Sequence, residues 1–182
     1  MLTLAIQAGG KSSRMGEDKA LMPFRGRPLI QHVMESLAVI ADEIIITTNH
    51  PDDYRFLDVP LFIDLRPGRG ALGGLYTALE RASKPFVAVV ACDMPFASLD
   101  LFSAAHRLMA EFDMDVIIPS TENGLEPLHA LYRCERCLPA IEAALDADKW
   151  KVISWFDQVS VRILSDQTTR SPSTCRHQAR LR

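Results

Sequence analysis

Three clusters of residues carry side chains and glycine spacing suited to chemistry on a phosphate. The first is Gln7-Ala8-Gly9-Gly10-Lys11-Ser12-Ser13-Arg14-Met15-Gly16-Glu17-Asp18-Lys19, which follows the strand-like run Leu2–Gln7. Two adjacent glycines after a strand let backbone N–H groups approach an anion, and Arg14 and Lys19 add charge of the sign a phosphate requires. This entry loop spells neither GxxxxGK[ST] nor GxGxxG, so it is not one of the two common nucleotide loops. A tight turn with solvated basic residues has the same composition. The second cluster is Cys92-Asp93-Met94-Pro95-Phe96, after the apolar run Val87–Ala91. A carboxylate at the end of a buried strand, beside a phosphate loop, suits Mg²⁺, which takes one or two carboxylates with phosphate oxygens and water. The competing reading of Asp93 is a cap or a solvated turn. The third is Asp64-Leu65-Arg66-Pro67-Gly68-Arg69-Gly70-Ala71-Leu72-Gly73-Gly74, whose glycines at a helix start permit close approach of a base or phosphate. Such a segment also occurs as a plain turn.

Positioning these clusters requires an alternation of strands and helices. Leu2–Gln7, Glu43–Thr48, Pro60–Ile63, Phe86–Ala91 and Asp115–Pro119 read as strands, with Leu128–Arg133 and Val159–Leu164 following late. Ile44-Ile45-Ile46 and Val87-Ala88-Val89-Val90 are continuous rather than alternating, the pattern of strands covered on both faces. Helices are expected over Pro28–Ala41, Ala71–Ala82, Leu99–Phe112 and Glu135–Leu145, with a shorter one near Trp150–Phe156. Ser98 or Asp100 can cap the third of these. The expectation is an α/β fold, a three-layer α/β/α sandwich with a largely parallel central sheet. Ligands of such sheets sit beyond the carboxyl ends of the strands, which points at Ala8–Lys19, Asn49 onward, Asp64–Gly74 and Cys92–Pro95.

Composition narrows the class. The chain has 182 residues, 48% hydrophobic and 24% charged, with a net charge of −3. These are globular values, and the charge balance argues against a nucleic-acid partner. No run reaches the roughly 20 apolar residues of a membrane span, and no basic n-region precedes the first strand. A cytoplasmic protein with reduced cysteines is expected. Cys134 and Cys137 form a single CxxC, which supplies two zinc ligands at most and reads most simply as two cysteines at a strand-to-helix junction.

The run AGGKSSRMGEDKAL (Ala8 to Leu21) resembles the signature loop of the nucleotidyltransferases, and within them the molybdenum cofactor guanylyltransferase family. Gln7 stands where Leu is usual. Phe24-Arg25-Gly26-Arg27-Pro28-Leu29-Ile30, CDMPF and Glu126-Pro127-Leu128-His129-Ala130-Leu131-Tyr132 are similar to further motifs of that family. The resemblance implies a Rossmann-like nucleotidyltransferase fold. It implies transfer of GMP from GTP to the terminal phosphate of molybdenum-bound molybdopterin, with release of pyrophosphate. Mg²⁺ would be held by Asp93. Arg14 and Lys19 would supply charge at the phosphates. Gln7, Ala8, Gly9, Gly10, Asn49 and Asp64 would frame the nucleotide. Cofactor-delivery proteins and molybdoenzymes would be the partners. Glu126 and Arg133 are the polar candidates for acceptor contact, with Lys149 and Lys151 as solvated lysines that can also meet an anion. His129 is read as a structural or supporting group.

The resemblance covers residues 1–164, taken as the nucleotidyltransferase domain. From Ser165 to Arg182 four Arg and one Asp occur without helical period or the family's Asn-rich closing motif, and this basic segment is expected to be disordered. Two other readings remain open on the sequence: a nucleotidyltransferase of the same fold using CTP or another phosphate acceptor, and a nucleotide-binding protein whose transferase activity is impaired by its atypical end.

Overall fold

Leu2–Gln7 (β1) is buried at every position, because it lies in the middle of the sheet with a parallel strand on either side. The structure is a computed structural model that describes residues 1–9 and 18–165. After β1 come a 3₁₀ turn at Lys19–Leu21 and a small hairpin, Pro23–Phe24 (β2) and Arg27–Pro28 (β3). Then follow Leu29–Leu37 (α1), Glu43–Thr47 (β4), a 3₁₀ segment at Pro51–Leu57, Leu61–Phe62 (β5), Gly70–Arg81 (α2) and Phe86–Ala91 (β6). The remainder is Leu99–Phe112 (α3), Val116–Thr121 (β7), Gly124–Leu125 (β8), His129–Arg133 (β9), Cys134–Asp146 (α4) and Val161–Ser165 (β10).

Among the described residues the main sheet runs β10-β7-β9-β6-β1-β4-β5, with β8 paired to β7. All pairings are parallel except those of β9 with β6 and β7 and of β8 with β7. The two faces divide the core cleanly. Leu2, Leu4, Ile6, Ile46, Ala88 and Val90 face α1 and α3, where Ile30, Val33, Phe102 and Met109 meet them. Ala5, Ile45, Val87, Val89 and Tyr132 face α2 and α4, against Leu72, Leu75, Ile141 and Trp155. Each fully buried large aliphatic side chain contributes about 1.5–3 kcal/mol by leaving water. The three-layer α/β sandwich expected from the alternation is therefore the fold.

Two expectations need correction. The helix read over Pro28–Ala41 is α-helical only to Leu37 and tightens into a 3₁₀ turn at Ala38–Ile40. The helix read near Trp150–Phe156 is a series of turns, with a 3₁₀ turn at Phe156–Gln158. Asp148 takes a left-handed φ of 58° after α4, and the bonds that follow, Ser154 N–H to Lys151 O and Phe156 N–H to Ile153 O, span only three residues. Burial of Trp155 against Tyr132 dictates that path. At α3, Ser98 is the cap: its hydroxyl accepts from Leu101 N–H at 3.2 Å.

Candidate active site

The carboxyl ends of β1, β4, β5 and β6 lie side by side at one edge of the sheet. Backbone bonds lace them together beyond the regular ladder. Ala8 N–H donates to Thr47 O at 2.8 Å, Cys92 N–H to Gln7 O at 3.1 Å, and Thr48 N–H to Phe62 O at 2.8 Å. Gln7 and Ala8 are buried and Gly9 is exposed, so the chain emerges from the core at the first glycine.

Lys19 and Asp93 meet across this edge, with Nζ 3.9 Å from Oδ2. Their side chains are 59% and 45% exposed. An ion pair this long and wet contributes little to stability, and both groups stay open to a third, charged partner. Asp18 fixes the base of Lys19. Its Oδ1 accepts from Ala20 N–H at 2.9 Å, and its Oδ2 accepts from the hydroxyl of buried Tyr54. Burial, then the bond to Asp18, raises the Tyr54 pKa well above its ordinary value, so the phenol remains a donor.

A second polar pair sits at the ends of β4 and β5. Asn49 Nδ2 donates to Asp64 Oδ2 at 3.1 Å. Partial burial raises the Asp64 pKa, opposed by the bond from Asn49. Beyond Asp64 the chain is pinned to α2 by the buried Thr77 hydroxyl, which accepts from Leu65 N–H and donates to Gly73 O, each at 2.9 Å. Two arginines carry the same segment across to α4 and the turn after it. Arg66 pairs with Glu142 and Asp146, both at 3.4 Å. Arg69 pairs with Asp148 and lies 5.2 Å from the ring centre of Trp150.

Gln7 enters from below. Its Nε2 donates to Ala71 O, in the first turn of α2, at 3.1 Å. Its Oε1 is buried without a partner among the described residues, as is the hydroxyl oxygen of Thr47, its register neighbour on β4. Gln7, Ala8, Gly9, Lys19, Asn49, Asp64 and Asp93 are thus brought to one edge. Gly10 and Arg14 lie outside the described residues. Tyr54 and Thr77 were not legible as members of this site. Both act through contacts between segments far apart in sequence, and neither stands in a motif.

The acceptor-side candidates separate. Glu126 is near this edge, where its Oε1 accepts from the Thr121 hydroxyl at 3.0 Å. Arg133 is not: it ends the antiparallel β9, opposite Phe86 at the start of β6, and donates to Met114 O and Met109 O while pairing with Asp113. It braces the far edge of the sheet. Lys149 donates to Ser154 O at 3.2 Å, and Lys151 is exposed. Cys134 and Cys137 open α4 directly after β9, as expected. Burial pushes their thiols up to about 11 and about 12, and Cys92 up to about 12, so all three stay protonated. Their Sγ atoms, Cys134 to Lys84 O and Cys137 to Asp115 O, serve as weak donors.

Comparison with known proteins decides the family. The MobA-like NTP transferase domain matches residues 4–161. The chain belongs to the MobA-like NTP transferase family. It is 39% identical over 166 residues to a probable molybdenum cofactor guanylyltransferase of Carboxydothermus hydrogenoformans, covering 90% of this chain and 81% of that protein. A protein of the same description from Peptoclostridium acidaminophilum is 36% identical over 170 residues, covering 91% and 76%. The solved structure of molybdopterin-guanine dinucleotide biosynthesis protein A from Archaeoglobus fulgidus superposes with a TM-score of 0.78 at 22% identity, covering 92% of this chain and 85% of that one. A 4-diphosphocytidyl-2C-methyl-D-erythritol synthase from Anaerococcus prevotii superposes at 0.65 with 15% identity, covering 90% and 86%. At those identities the structures speak for the fold, which is the Rossmann-like nucleotidyltransferase fold. This member of the MobA-like family is a nucleotidyltransferase, and the edge that gathers Gln7, Lys19, Asn49, Asp64 and Asp93 is its candidate active site.

Proposed function

We propose that the protein transfers GMP from GTP to molybdenum-bound molybdopterin, releasing pyrophosphate. The observation that carries this reading is the Lys19–Asp93 pair: two opposite charges 3.9 Å apart, half exposed, at the mouth of four strand ends. The protein's relatives described as probable molybdenum cofactor guanylyltransferases support a guanylyl donor and a molybdenum cofactor acceptor.

The reaction needs no side-chain nucleophile. An oxygen of the acceptor's terminal phosphate forms the new bond to the α-phosphorus of GTP, the bond between the α-phosphorus and the bridging oxygen breaks, and pyrophosphate leaves with the electron pair. Catalysis is then positioning and charge stabilisation. Lys19 supplies positive charge at the phosphates, and Arg14 is its expected companion. Asn49, Asp64 and the backbone of Gln7, Ala8 and Gly9 hold the nucleoside end. No group of three or more His, Cys, Asp or Glu converges on one point among the described residues. A lone exposed Asp93 fits Mg²⁺, which fills its remaining positions with phosphate oxygens and water. Held by Asp93, the ion would supply positive charge against the phosphates. No helix among the described residues is long and apolar enough to cross a membrane. A cytoplasmic site of action is part of the proposal, as is handing the product to molybdoenzymes.

The deciding experiment incubates the protein with molybdenum–molybdopterin, Mg²⁺ and each nucleoside triphosphate in turn, and identifies the product by mass spectrometry. A guanine dinucleotide formed from GTP is expected. Preference for CTP would replace the guanylyl reading by a cytidylyl one. Tight GTP binding without pyrophosphate release would mark a binding protein.

A further inference from the structure

Asp93 does not sit on a regular element. It lies in Cys92–Ser98, between the end of β6 and the start of α3, folded as two successive turns closed by Met94 N–H to Ala91 O and Ala97 N–H to Met94 O. What holds the ends of this segment decides where the carboxylate points.

Both ends are held by two consecutive residues of one chain. At the front, Ala91 N–H donates to Leu128 O at 2.9 Å. At the back, Ser98 N–H donates to His129 Nε2 at 3.2 Å. Because β9 is antiparallel to β6, with His129 opposite Val90, its entry point lies at the ligand edge exactly where the Asp93 segment departs. The His129 ring is further seated edge-on against Phe102 of α3, with centroids 5.2 Å apart.

We propose that His129 is a positioning residue for the Asp93 segment: its imidazole, held as the Nδ1–H tautomer, accepts the Ser98 N–H and fixes the back end of the turn that aims the carboxylate. This deepens the reading of Asp93 given above and rests on it. The chemistry allows one tautomer. A backbone N–H can only donate, so Nε2 carries no proton. Burial favours that neutral state, since it holds the imidazole below its ordinary pKa, opposed by the charge of Glu126. Ser98 in turn caps α3 through its hydroxyl, so the same contact registers the helix against the sheet.

The test compares wild type with His129→Phe, which keeps the aromatic edge on Phe102 and removes the acceptor, and His129→Gln, whose Oε1 reaches the position of Nε2. Amide hydrogen exchange over Cys92–Ser98 is read in each, together with the Mg²⁺ concentration that half-saturates pyrophosphate release and the KM for GTP. Loss of one hydrogen bond to a backbone N–H corresponds to roughly tenfold. Ser98 exchange should accelerate by about that factor in His129→Phe, Mg²⁺ half-saturation should rise several-fold and more than KM, and His129→Gln should recover both. The ¹⁵N shift of His129 Nε2 in wild type should read an unprotonated acceptor at neutral pH, which needs no variant to fold. Unchanged Ser98 exchange in His129→Phe, no recovery in a folded His129→Gln, or a protonated Nε2 at neutral pH would overturn the proposal. A wild type whose turnover ignores divalent cations would instead overturn the Asp93 reading, while exchange still reports on the latch.

Discussion

Gly74 makes room for Gln7. A Cβ at residue 74 would lie 2.1 Å from Gln7 Nε2 and 2.6 Å from its Cδ, so the start of α2 settles on the end of β1 only because that position has no side chain. Gly74→Ala should cost about 1–3 kcal/mol of stability, the range for overpacking a filled site. The buried amide would have to leave its bond to Ala71. Gln7→Ala in the same chain should recover much of that loss, read as a double-mutant cycle by urea unfolding. Strictly additive costs would show that the two residues do not share this space.

Lys19→Ala and Asp93→Asn should each lower kcat/KM by roughly 10²–10³, the usual scale for one group that stabilises developing charge. Neither should change unfolding stability by more than about 0.5 kcal/mol, because the pair is long and half exposed. Steady-state kinetics beside thermal unfolding separates the two effects. Near-wild-type turnover in either variant would move the chemistry elsewhere.

Asp64→Asn should do the reverse to stability. Burial raises the Asp64 pKa, so the folded protein holds that proton more tightly than the unfolded chain does. The stability this gives is full below the unfolded carboxyl's pKa and is lost as pH rises through the folded value. At neutral pH the ionised carboxylate is therefore a burden on the empty site. The neutral amide, still able to accept from Asn49, should raise the melting temperature while weakening GTP binding. Calorimetric binding and unfolding at pH 7 check both signs.

Acid should weaken the fold through two histidines. His106, edge-on to Phe86, and His129 both have pKa values lowered by burial from 6.5. For both, the unfolded chain takes up the proton first as pH falls. The neutral buried state contributes its stability above the unfolded pKa, and that stability is lost as pH decreases below about 6.5 toward the folded values. His106→Gln should flatten part of this decline. The slope of urea stability between pH 7 and pH 5 is the measurement, and a slope unchanged in the variant would assign the decline to other groups.

Much of this architecture could be read from residue order, and the exceptions have physical causes. The continuous runs Ile44–Ile46 and Val87–Val90 announced strands covered on both faces, and both are. The carboxyl-edge rule then brought Gln7, Lys19, Asn49, Asp64 and Asp93 together. Strand direction was another matter. Nothing in the alternation of Leu128–Tyr132 says that β9 runs backward between β6 and β7, yet that reversal sends Arg133 to the far edge and His129 to the near one. The turns at 150–156 carry apolar residues at helix-like spacing, but the left-handed Asp148 and the burial of Trp155 set their path. Tyr54 reaches Asp18 across 36 residues, a distance over which local periodicity carries no signal.

The central place of β1 has a consequence for how the chain is made. Leu2–Gln7 is synthesised well before Phe86–Ala91, the strand it needs as its second neighbour. At about 5–20 residues per second, a six-residue strand with no charged side chain waits for seconds with an open edge. Nascent molecules of this protein should therefore lean on a holding chaperone at the tunnel exit more than a fold with its first strand at the sheet's rim.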